Sequence, residues 1–161
     1  VADAAAIDAS PLILLSRAGL LDLLRGLRAR LVIPGPVLEE IGRKGPEDVT
    51  ARAVAAADWL ELAPATPVPP IVAAWDLGPG ESAVLAWTLA APGTLALIDD
   101  RPARRCAQSL GIPLLGTAGA VLLAKRRGVI PNARPALERL VAAGMYLSAT
   151  TLAEVLRRAG E

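Results

Sequence analysis

The chain has 161 residues, 53% of them apolar, with 17 basic and 16 acidic side chains and a net charge of +1. It contains no histidine and one cysteine, so a Ser-His-Asp or Cys-His centre cannot be assembled, an imidazole-based zinc site is excluded and no internal disulfide can form. The near-neutral balance gives no global pull toward nucleic acid, no apolar run reaches the roughly 18–20 residues of a membrane span, and with no signal segment a cytoplasmic location is the expectation.

The length suits one domain over residues 1–161. Ala4-Ala5-Ala6-Ile7 reads as a strand ending in Asp8, after which Ser10 can cap a helix with Pro11 at its first position. Leu12 to Leu27 keeps helical spacing but is broken at Gly19, which predicts two short helices. Leu31-Val32-Ile33 is a second strand, and Pro36 opens a helix through Val37-Leu38-Glu39-Glu40-Ile41. Asp48 to Asp58 predicts a further helix and Trp59 to Leu62 a third strand, followed by a proline-rich surface loop from Pro64 to Pro70.

Glu81 opens a helix running to about Ala91, and Thr94 to Ile98 is the clearest strand, terminating in Asp99-Asp100. A helix from Pro102 to Leu110, a strand from Ile112 to Leu115 and a helix that Thr117 can cap come next, the last ending in Lys125-Arg126-Arg127-Gly128 as the helix dipole prefers. Two C-terminal helices, within about 133–159, complete the chain, with Thr151 and Glu154 as a capping box. Cys106 falls in an Ala- and Leu-rich helix and reads as buried and inert.

Strands that are apolar nearly throughout, alternating with helices, imply an α/β fold with a parallel sheet covered on both faces. Ligands gather at the carboxyl ends of such strands, where Asp8, Asp99 and Asp100 would emerge together. Crowded carboxylates raise one another's pKa unless a cation lies between them, and an oxygen-only donor set suits Mg²⁺ or Mn²⁺. The plainer reading is that each Asp caps the helix that follows it. Glu81 at a helix start and Glu40 beside Glu39 are further candidates, each of which alone reads as a surface charge.

Asp8-Ala9-Ser10-Pro11-Leu12-Ile13, Ile33-Pro34 with Val37 to Ile41, Gly78-Pro79-Gly80-Glu81-Ser82-Ala83 and Ile98-Asp99-Asp100-Arg101 resemble, in order, the acidic motifs of PIN-domain proteins, and specifically a prokaryotic branch related to VapC-type toxin ribonucleases. The likeness continues through Leu115-Gly116-Thr117-Ala118-Gly119, Ala124-Lys125, Ile130-Pro131 and Arg158 to Glu161. It implies a three-layer α/β/α sandwich and Mg²⁺- or Mn²⁺-dependent hydrolysis of RNA. Asp8, Glu40, Glu81 and Asp99 or Asp100 would be the catalytic acids, with Asp8, Glu81, Asp99 and Asp100 as metal ligands. Ser10 would support the first acid, and Arg101 and Lys125 would meet RNA phosphates. A toxin role, an antitoxin partner and a homodimer are further implications. Two other readings stand beside it: a catalytically silent PIN-like partner domain, and a receiver-type phosphoacceptor module suggested by strand-end acids with Thr117 and Lys125.

Overall fold

The computed structural model describes residues 3–161, so the first two residues of the expected 1–161 unit lie outside the described residues. Five strands form one sheet: β1 (Ala4–Ile7), β2 (Arg30–Ile33), β3 (Leu60–Leu62), β4 (Leu95–Leu97) and β5 (Leu114–Leu115), in the spatial order β3-β2-β1-β4-β5. Every pairing is parallel, with Ala6 opposite Val32 on one side and Ala96 on the other. The helices are α1 (Ala9–Arg17), α2 (Gly35–Gly42), α3 (Val49–Ala56), α4 (Pro70–Ala73), α5 (Pro79–Ala90), α6 (Arg101–Ser109), α7 (Thr117–Arg126), α8 (Arg134–Ala142) and α9 (Ala149–Arg158).

The chain moves outward from β1 through β2 to β3, returns across the sheet to β4, and continues to β5. Right-handed crossovers in opposite directions place the connecting helices on opposite faces. Accordingly α1 packs with α3, α7 and α8, whereas α5 packs with α4 and α6 and lies over β1 and β4. This is the α/β/α sandwich expected from the sequence. The reversal of direction occurs between β1 and β4, so the topological switch point lies beyond Ile7 and Leu97.

Composition explains the centre of the sheet. Ala4, Ala5 and Ala6 of β1 are all buried, and their short side chains let helices approach from both sides. Ile7, Leu12, Leu15, Val84, Leu85, Leu97 and Val121 then fill the layers and are fully enclosed, and Cys106 is buried as expected.

Several local expectations shift. The residue flanking α1 is Asp8, not Ser10, and Gly19 with φ +66° ends the run. The second helical segment is a 3₁₀ helix over Leu21–Gly26. After the proline-rich loop, Pro70 sits in the first turn of the short α4. Thr117 is the first residue of α7, while Gly116 occupies the cap position. The capping box at Thr151 does not form: α9 is capped by Ser148, whose Oγ accepts from the Thr151 N–H at 3.1 Å, and Glu154 pairs with Arg157 and Arg158. Among the described residues no helix is long and apolar enough to cross a membrane.

Candidate functional site

Asp8 and Asp99 leave the sheet at the switch point. The Asp8 N–H donates to the Leu97 carbonyl at 3.0 Å, extending the β1–β4 ladder by one bond and fixing where the first acid emerges. Although Asp8 occupies the N-cap position of α1 in an extended conformation, its side chain makes no capping hydrogen bond. The residue is 1% exposed, and its Oδ1 has no hydrogen-bond partner among the described residues. A buried carboxylate oxygen left unpaired is destabilising unless something compensates it. Burial is the main reason its pKa is raised from 3.8 to about 7; Glu81, Glu40 and Asp99 add to the effect by repulsion, and the Ala9 N–H opposes it.

The two aspartates at the end of β4 divide. Asp100 caps α6, its Oδ2 accepting from the Ala103 N–H at 3.0 Å. Asp99 instead reaches the start of α7: its Oδ1 accepts from the Thr117 N–H at 2.8 Å and its Oδ2 from the Thr117 hydroxyl at 2.6 Å. Both aspartates thus accept from an N–H of a first helical turn, Asp100 at α6 and Asp99 at α7, and Asp99 is the one whose charge acts on Asp8. Thr117, fully buried, is the hydroxyl that orients Asp99. The sequence signal for this role was Thr117 itself, two residues after β5 in a parallel sheet.

Glu40 and Glu81 come from the helices that meet above this edge, α2 and α5, which pack directly on one another. Gly80 makes the approach possible. A Cβ at this position would lie 3.2 Å from Asp8 Oδ1, 3.2 Å from Glu40 Oε2 and 3.3 Å from a Val37 methyl, so hydrogen leaves a small space between two carboxylates. Glu40 is exposed at the mouth, and Glu39 is exposed beside it. The Glu81 carboxylate turns back toward Gly78, where a Cβ would meet its Oε2 at 2.5 Å. Among the described residues no three acidic side chains converge on one point as ligands of a shared ion. The expected acids therefore share one edge and one electrostatic field, with their carboxylates splayed as like charges are.

Other expected contributors are distributed differently. Ser10 is exposed and lines a groove of about 560 Å³ together with Asp99, Arg104 and Gly116. Arg101 is exposed in the first turn of α6. Arg104, half-buried, donates from Nη1 to the Ile98 carbonyl at 2.9 Å and brings a cation to the acidic edge, whereas Arg105 faces solvent. Lys125 is a correction. It was expected to meet RNA phosphates, yet its Nζ is held at 2.6 Å by both the Ala159 carbonyl and Glu161 Oε1, at the end of α7 opposite Thr117 and about 12 Å along the helix. The same Glu161 carboxylate accepts from the Ala133 and Arg134 N–H groups at 2.6 and 3.1 Å. The receiver-type reading fails with it, because it needs Thr117 and Lys125 together at the strand ends.

No curated protein matches the chain at a significant level. A family model, DUF3368, described as a PIN domain, matches residues 4–161 and so covers the five strands, all five candidate acids and the C-terminal residues through Glu161. PIN domains have a nuclease-type fold, act in general as nucleases and typically use divalent metal ions. With that match over nearly its whole length, the chain belongs to the PIN-domain family.

Proposed function

We propose that this chain is a metal-dependent endoribonuclease that hydrolyses RNA phosphodiester bonds, with Mg²⁺ or Mn²⁺ as its cofactor. The observation that carries this reading is Asp8: a buried, unpaired carboxylate oxygen at the switch point, with Glu40, Glu81 and Asp99 all acting on its charge. An all-oxygen donor set at this edge suits a hard divalent cation, whose arrival would have to draw together carboxylates that do not converge on one point as they stand.

Asp8 and Asp99 would hold the cation, with Glu81 reaching it directly or through water. When bound, the cation neutralises phosphate charge and makes water a stronger nucleophile near neutral pH. Thr117 fixes the Asp99 carboxylate with two hydrogen bonds, so the last acid is pre-oriented. Glu40, exposed at the mouth, would accept the proton of an attacking water. Asp100 caps α6 through Oδ2 alone, and because capping and metal binding are compatible in one residue it stays the alternative to Asp99 as the last acid. Arg101 and Arg104 are the cations nearest the edge for RNA phosphates, which makes binding fall with salt.

Cleavage of single-stranded RNA with Mg²⁺, Mn²⁺ or EDTA, by the native chain and by Asp8→Asn and Asp99→Asn, tests the proposal. Metal-dependent cleavage that each substitution lowers at least about 100-fold is expected. No cleavage with any metal, or equal cleavage by Asp8→Asn, refutes it. A toxin role with an antitoxin partner and a homodimer extends the same proposal. Leu38 and Leu62, 42% and 63% exposed, line an apolar groove of about 440 Å³ beside edge strand β3 and support such contacts. Light scattering checks the dimer. The splayed acids favour a second reading, a catalytically silent PIN-like partner domain whose carboxylates serve only as caps, for which the same assay would show no cleavage with any metal and calorimetry no Mg²⁺ binding.

A further inference from the structure

Tyr146 is the chain's one tyrosine, phenylalanine is absent, and yet this ring is 89% exposed. It lies in the linker between α8 and α9, which is not loose. The Gly144 N–H donates to the Val141 carbonyl at 3.0 Å and the Met145 N–H to the Leu140 carbonyl at 2.9 Å, while Met145 and Leu147 on either side of Tyr146 pack against the core. The backbone therefore turns two apolar neighbours inward and presents the aromatic ring outward.

Tyr146 is among the residues lining the same groove of about 560 Å³ as Asp99. Leu14, Leu115 and Met145 line it together with Asp99, Arg104 and Ser10. Arg104 gives one N–H to the Ile98 carbonyl and forms no ion pair among the described residues, so its remaining N–H groups are available to a phosphate. An exposed aromatic ring, apolar side chains and a guanidinium beside Asp99, all along one groove, are complementary to an unpaired nucleotide. We propose that this groove binds one nucleobase of single-stranded RNA next to the cleaved phosphate, with the base stacked on Tyr146 and a phosphate facing Arg104. The proposal rests on the ribonuclease reading above.

Because Tyr146 is the only tyrosine and there is no Phe or His, its ring protons form an isolated NMR signal beside three tryptophans. With Mg²⁺ present, adenosine 5′-monophosphate should move these resonances upfield, and ribose 5-phosphate, which lacks the base, should not. No shift with the nucleotide, or an equal shift with both compounds, overturns the base site whether or not RNA is cleaved. In cleavage assays Tyr146→Ala should raise KM for single-stranded RNA about 5- to 100-fold with little change in kcat, and Tyr146→Phe should restore it. An unchanged KM in Tyr146→Ala overturns the proposal while leaving the ribonuclease reading intact. Failure of the native chain to cleave any RNA overturns that reading, and the ring-shift result then decides the base site independently.

Discussion

Substituting Asn for Asp8 removes one negative charge from the most buried position of the acidic edge while keeping the side chain's shape. In the folded protein this carboxyl takes up its proton at about 7, against 3.8 in an unfolded chain, chiefly because it is buried and secondarily because Glu81, Glu40 and Asp99 repel it. Between those values the folded state holds a proton that the unfolded state has released, so metal-free stability falls as pH rises from about 4 to about 7 and levels off above. The full difference corresponds to ~4 kcal/mol above neutral pH. An amide in its place brings an N–H₂ group that needs an acceptor and costs about 1–3 kcal/mol. The net expectation is a gain of about 1–3 kcal/mol for Asp8→Asn above neutral pH, or a Tm higher by roughly 3–10 °C. Thermal unfolding in EDTA at about pH 8 and about pH 5 measures it. The gain should vanish at the lower pH, where the native carboxyl is already neutral. An Asn variant no more stable than the native chain at pH 8, or equally favoured at both pH values, refutes the idea that Asp8 carries an uncompensated charge.

Thr117→Val removes the 2.6 Å hydroxyl bond to Asp99 but leaves the 2.8 Å N–H bond, so kcat should drop about tenfold with the fold intact by circular dichroism. An unchanged kcat would mean that the hydroxyl does not orient the acid. Gly80→Ala adds a methyl 3.2 Å from both Asp8 Oδ1 and Glu40 Oε2; calorimetry should find Mg²⁺ affinity lower by at least about tenfold without loss of secondary structure. Glu161→Gln weakens the bonds to Lys125, Ala133 and Arg134. Glu161 is held at about 2 instead of 4.5, first by its bond to Lys125, so the clasp is fully formed above about pH 4.5 and is lost as pH falls through about 2. The variant's Tm should therefore be a few degrees lower at neutral pH and match the native value near pH 2, with RNA affinity unaffected at either end of that comparison.

How far residues announce their roles depends on whether the determining contact is local. Strand ends at Asp8 and Asp99 were legible because apolar runs stop there, and a parallel sheet brings such ends to one edge by topology alone. The division of labour between Asp99 and Asp100 was not, since both precede a helix and only the rotamer shows which carboxylate turns to cap α6 and which crosses to α7. Lys125 misled for a related reason. Its position in the last turn of α7 was clear, but Glu161 lies 36 residues further on and nothing local reveals that they meet. Ser10 lost its expected cap because Asp8 already occupies that position, and the break at Gly19 was correctly placed while the tighter 3₁₀ geometry after it was not. Tyr146 carries no periodic signal, since its meaning comes from an exposure of 89%, greater than that of any other large apolar side chain among the described residues.

Gly80 contributes no charge, no hydrogen bond and no reactive atom, yet it sits where a single methyl group would crowd two of the four acids. Loss of function in a sequence of this kind would not require the loss of any carboxylate. One codon change at the glycine could leave every acidic position intact while crowding Asp8, the first of the acids proposed to hold the ion. Under the proposed function, an active and a silent version of this chain could therefore differ at an uncharged position with every acid in place.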